Sequence, residues 1–189
     1  MIRRKPPLGF WLTLGFLAYI LSNWSWEFAQ YREATARQSV LDAYDPRDTL
    51  DPRSMSVTDG VAGEQIYMFM DREISMEFVA DWSSRIRKFP SQEVFCEANG
   101  GGPYTPEASL PDPLTLDWWH FGNPDCQSAA MTPGAYTMTT CWSWTPEDLP
   151  ELGIQDVCVS SPPFNVFPED LAQGILELKQ EIQEIQASE

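Results

Sequence analysis

The chain has 189 residues, 43% of them apolar, with 12 basic against 28 acidic side chains and a formal net charge of -16. That length suits one domain with flanking segments rather than two full domains, and the apolar content excludes wholesale disorder. A field of this sign repels phosphate backbones, which excludes nucleic acid as a partner class.

The charge is unevenly placed. Arg3, Arg4 and Lys5 come first, Glu27 is the first acidic residue, and all 28 acidic groups lie from there onward. Between them, residues 8–26 read LGFWLTLGFLAYILSNWSW without a charge. As a helix this stretch rises about 28 Å, close to the hydrocarbon thickness of a bilayer. The reading is a basic cytoplasmic tail over 1–7 and a single transmembrane anchor over 8–26, with Trp24 and Trp26 in the far interfacial belt. Ala34-Thr35-Ala36 lies too far past the apolar run to be a signal-peptidase site, so the anchor is expected to stay in place. The lipid bilayer is the first expected partner, and the rest of the chain is expected in the periplasm or outside the cell.

Residues 27–59 read as a stalk. The Ala-, Arg-, Gln- and Glu-rich stretch 27–41 extends the helix, and two Asp-Pro-Arg steps at Pro46 and Pro52 interrupt it. Aspartates recur at 42, 45, 48, 51 and 59, but with neither the spacing nor the glycine of an EF-hand, so no metal site is expected.

A compact domain is expected over 60–167. Ile66, Met68 and Met70 alternate with Tyr67 and Phe69, which predicts a strand apolar on both faces. Met76, Phe78, Ala80 and Trp82 share one face of the next strand, and Val94 to Cys96 form a short run. Tyr136, Met138, Thr140, Trp142 and Trp144 share one face of the most regular candidate. Residues 154–159 and 164–167 supply two more strands. Short strands between Gly/Pro turns predict a mainly β fold, by analogy of architecture an immunoglobulin-like antiparallel β-sandwich. Residues 97–127 stand out as an insertion carrying Gly100-Gly101-Gly102, read as a sharp turn, and Trp118-Trp119-His120-Phe121.

Four cysteines lie beyond the anchor. Cys141 and Cys158 fall on strands that are plausible neighbours, which leaves Cys96 and Cys126 to close the insertion. Their spacings match neither a zinc site nor a thioredoxin-like centre.

Catalytic signatures are sparse. His120 is the single histidine, and no Gly-x-Ser-x-Gly is present. Asp81 beside Trp82 and Asp117 beside Trp118 are hydrolase candidates, but with 28 carboxylates such a match carries little information. The expectation is a non-enzymatic protein without cofactor. Tyr104, Trp118, Trp119 and Phe121 form the candidate binding surface, for a glycan or a protein; the competing reading is a lid packed over one end of the sandwich.

Residues 168–189 close the chain. Pro168-Glu169-Asp170 opens an amphipathic helix, along which Leu171, Ile175, Leu178, Ile182 and Ile185 follow a 4-3-4-3 spacing. That stripe predicts a protein partner or homo-oligomer. The functional expectation is a membrane-anchored extracytoplasmic assembly or binding protein, an accessory subunit of a larger envelope complex. A carbohydrate-binding module using the Trp-rich insertion and a carboxylate-dependent hydrolase are the alternatives.

Overall fold

The computed structural model describes residues 8–170 and Gly174. The chain divides into two compact units between Tyr44 and Asp45. The basic tail and the helix-interface residues Leu171, Ile175, Leu178, Ile182 and Ile185 lie outside the described residues.

The first unit holds one helix, α1, Leu8–Ala43. Phe16, Leu17, Tyr19, Leu21, Trp24, Trp26, Phe28 and Tyr31 all present exposed apolar surface along it. Several hydroxyls turn back onto the backbone: Ser22 Oγ donates to the Tyr19 carbonyl and Ser25 Oγ to that of Ser22. Among the described residues no helix is long and apolar enough to cross a membrane.

The second unit is mainly β. A 3₁₀ turn over Pro46–Asp48 is capped by the Asp45 carboxylate, which accepts from Arg47 N at 2.9 Å. Its strands are β1 (Leu50–Val57), β2 (Gly60–Val61), β3 (Met68–Ile74), β4 (Phe78–Lys88), β5 (Val94–Tyr104), β6 (Gly134–Trp144), β7 (Gln155–Ser160) and β8 (Phe164–Phe167). β1 and β3 form an antiparallel ribbon. The larger sheet runs β2-β8-β6-β4-β5, with β7 beside β8 along the same edge of β6. All its pairings are antiparallel except β2 with β8.

β6 shows why the core forms where it does. Tyr136, Met138, Thr140, Trp142 and Trp144 are buried, while the alternate positions are only partly so. A period of two puts one set on the inner face and the other outside. Leu50, Met55 and Val57 of β1 and Met68 and Ile74 of β3 join Ile86, Met138 and Trp142 in one apolar core. Ribbon and sheet thus share a core in a sandwich-like arrangement.

Two expectations are corrected here. The β unit begins at Asp45, so β1 lies inside the segment 27–59 that reads as a stalk. Its apolar residues were hidden among Asp, Pro, Arg and Ser. Pro52 is tolerated because β1 pairs with β3 alone and the register shifts between Pro52 and Ser54. The strand around Met68 is buried on one face only: Met68 is inside, whereas Tyr67 and Phe69 are exposed.

Both disulfides form as the spacing predicts, Cys96–Cys126 and Cys141–Cys158. Cys141 stands directly opposite Cys158 in the β6–β7 register.

Candidate functional site

The aromatic candidates are held by the segment between β5 and β6. α2, Leu116–Trp119, is a single turn whose N-cap Thr115 accepts from Trp118 N at 3.2 Å. Leu116 and Trp119 point inward and are buried, and Trp118 stays half exposed. The segment is stitched down along its length. Leu116 N donates to the Ile66 carbonyl and Met68 N to that of Leu114, both at 3.0 Å. The Asp117 carboxylate accepts from Ser128 N at 2.6 Å, while Ser128 Oγ accepts from Ile66 N at 3.1 Å. Asn123 Nδ2 donates to the Glu97 carbonyl at 2.6 Å, beside the disulfide joining Cys126 to β5.

Tyr104, Trp118, Trp119 and Phe121 come together around one cleft of about 470 Å³. Trp82, Arg72, Leu110, Asn99 and Asn123 are among the other lining residues, and Glu97 supplies the one carboxylate among them. The rings divide the work. Trp119, 8% exposed, packs inward within 5.9 Å of Trp82 and 6.3 Å of Trp142, centroid to centroid. Trp118 at 50% and Phe121 at 84% exposure face outward. The segment is therefore a packed lid and an open aromatic surface at once.

Trp82 fits because its neighbour across the strands lacks a side chain. The register places Gly100 of β5, Trp82 of β4, Trp142 of β6 and Val157 of β7 in one row. A Cβ on Gly100 would sit 2.8 Å from Trp82 Nε1 and 3.0 Å from Cε2. The triple glycine is thus not the sharp turn its composition suggests. It runs as regular strand within β5, and its role is close approach of an indole to the backbone.

Arg72 escaped the sequence reading. It shares the inward register of β3 with Met68, Met70 and Ile74, while Phe69, Asp71 and Glu73 face out. Its guanidinium carbon lies 5.6 Å from the centroid of the Tyr104 ring, a cation–π geometry. Burial pulls the guanidinium below its ordinary pKa, with Tyr104 acting weakly the other way, and it stays charged at neutral pH. Burial pushes the Tyr104 hydroxyl up, so it stays protonated. Tyr104 in turn stacks on Phe78 at 5.2 Å. A charged residue on the apolar phase of an alternating strand is the signal that could have found Arg72.

His120 lies beneath the lid and is fully buried. Its Nε2 sits 3.1 Å from Ser84 Oγ, which accepts from Thr140 Oγ1 at 3.0 Å. Desolvation lowers the imidazole pKa to about 4, with the Leu116 carbonyl and Asp117 opposing. Ser84 is equally buried, so this Ser–His pair is closed to solvent. The other carboxylates singled out by sequence are dispersed. Asp59 accepts from Asn165 N, Asp51 faces Arg47 and Arg53, and Asp117 holds the lid. Among the described residues no three His, Cys, Asp or Glu side chains gather as a metal site.

No family model, no curated protein and no solved structure matches this chain.

Proposed function

We propose that this chain is a non-enzymatic, membrane-anchored binding protein whose extracytoplasmic β-sandwich holds a glycan in the aromatic cleft. The observation that carries the reading is the convergence of Tyr104, Trp82, Trp118 and Trp119 on one cavity of about 470 Å³. Flat rings offer the apolar faces of a sugar large contact area at low entropic cost, and the Asn99 amide among the lining residues suits its hydroxyls. An immunoglobulin-like sandwich belongs to the proposal, by analogy of architecture alone.

The hydrolase reading is weaker. A glycosidase needs two carboxylates across the scissile bond, and Glu97, the cleft's one carboxylate, is already paired with Arg85 at 2.8 Å. Two disulfides in a small domain favour an oxidising compartment. Membrane anchoring is supported by the exposed apolar side chains of α1 between Phe16 and Trp26 and by Ser22 and Ser25, which satisfy their hydroxyls within the helix. Tyr19, Trp24 and Trp26 are rings of the kind that prefer the bilayer interface to water.

The test is retention of the full chain, in mild detergent, on a panel of immobilised polysaccharides. Trp118→Ala combined with Phe121→Ala should weaken retention about tenfold or more while near-ultraviolet circular dichroism keeps the folded signature. Retention indifferent to both substitutions, or none on any polysaccharide, overturns the proposal.

A further inference from the structure

We infer that the glycan taken by this cleft bears a carboxylate, and that Arg72 is the residue that selects it. The inference rests on the glycan reading above and adds the chemical class of the sugar.

Among the described residues Arg72 is the single cation lining the cleft. Glu73, next to it, faces out and pairs with Arg53; Glu97 pairs with Arg85. None of the ion pairs among the described residues includes Arg72. Its Nε is enclosed and has no hydrogen-bond partner, and the same is true of Trp119 Nε1 on the cleft wall. The guanidinium as a whole is half-buried and lines the cleft without a counter-charge among the described residues.

A ligand in the cleft can bring acceptors and negative charge to the terminal nitrogens of the Arg72 guanidinium. A carboxylate does both, and its two oxygens match the fork of a guanidinium. A neutral sugar offers hydroxyl acceptors but no charge. The Tyr104 ring under the guanidinium holds it in place without neutralising it, since the phenol stays protonated. The acidic surface elsewhere works against an anionic ligand at long range, but at physiological salt that field decays within about 8 Å. Contact with Arg72 decides selectivity.

The experiment compares trimeric galacturonate, glucuronate and mannuronate, each with its methyl ester, by calorimetry on the full chain in detergent. Esterification keeps the sugar ring and removes the charge. For at least one sugar the acid should bind about tenfold more tightly than its ester. Arg72→Gln should erase that difference by weakening the acid and leaving the ester unchanged, and Arg72→Lys should keep part of it. Wild-type protein that binds acid and ester equally overturns the inference while the glycan reading stands. Binding of none of the six overturns the inference, and the glycan reading then stands or falls on the polysaccharide panel alone. A preference for acid that survives Arg72→Gln, in protein with an unaltered near-ultraviolet spectrum, removes Arg72 from the role.

Discussion

His120 Nε2 and Ser84 Oγ lie 3.1 Å apart under the lid, both side chains sealed from solvent, with Thr140 completing the chain of hydrogen bonds. This joins α2 to the inner face of β4 and β6 by a polar contact whose imidazole burial keeps neutral. Its pKa falls from 6.5 in the unfolded chain to about 4 in the folded one. Between those values the unfolded state binds more protons, so stability falls as pH drops from 6.5 to 4 and levels off below. The full loss is on the order of 3 kcal/mol. Urea unfolding at pH 7, 5.5 and 4 should show this slope in the wild type and a shallower one in His120→Gln. Equal slopes would remove the imidazole from the account.

Gly100 makes room for the Trp82 indole, which lines the cleft. Gly100→Ala drives a methyl into the indole edge at 2.8 Å, and the ring is confined by Trp119 on its other side. The expected outcome is a loss of about 1–3 kcal/mol, as in other overpacked sites, with a changed near-ultraviolet spectrum. Gly102→Ala is the control, since a Cβ there meets nothing within 4 Å.

The Cys96–Cys126 bond spans 30 residues and fastens the lid to β5. Replacing both cysteines by alanine should cost about 3.5 kcal/mol by loop-closure entropy. Limited proteolysis should then cut first between residues 105 and 131. Removal of Cys141–Cys158, which spans 17 residues on β6 and β7, should cost about 3 kcal/mol and leave the lid protected.

Asp117 is read as a clasp, not a catalyst. Its carboxylate holds Ser128 N at 2.6 Å. Asp117→Ala should lower stability by about 1.5–3 kcal/mol, the worth of a hydrogen bond to a charged acceptor. Binding to the cleft should weaken only as far as the lid loosens, and a variant of full stability would show the clasp to be ornamental.

What was legible in the sequence followed from periodicity. β6 announced itself because Tyr136, Met138, Thr140, Trp142 and Trp144 all occupy one phase, and β8 because Phe164–Phe167 is short and bounded. The cysteine pairs were legible because strand adjacency fixes one pair and elimination leaves the other. The four aromatic candidates were recognised as candidates, but not their shared cavity, which residues of β3, β4, β5 and the β5–β6 segment line together. β1 was missed since Leu50, Met55 and Val57 are spaced irregularly across a bulge. Gly100 and Arg72 were missed because local propensity says turn and surface. Only the neighbouring strands reveal that one makes room for Trp82 and the other faces a cavity.

The most direct measurement is the indole N–H spectrum of the full chain, selectively labelled with ¹⁵N-tryptophan and titrated with the oligosaccharide retained most strongly. The eight tryptophans include three that line the cleft. The account predicts that Trp82, Trp118 and Trp119 shift on a common binding curve while Trp24 and Trp26 stay fixed, with assignments made by single Trp→Phe substitutions. Uniform small shifts, or shifts confined to the α1 tryptophans, would contradict it.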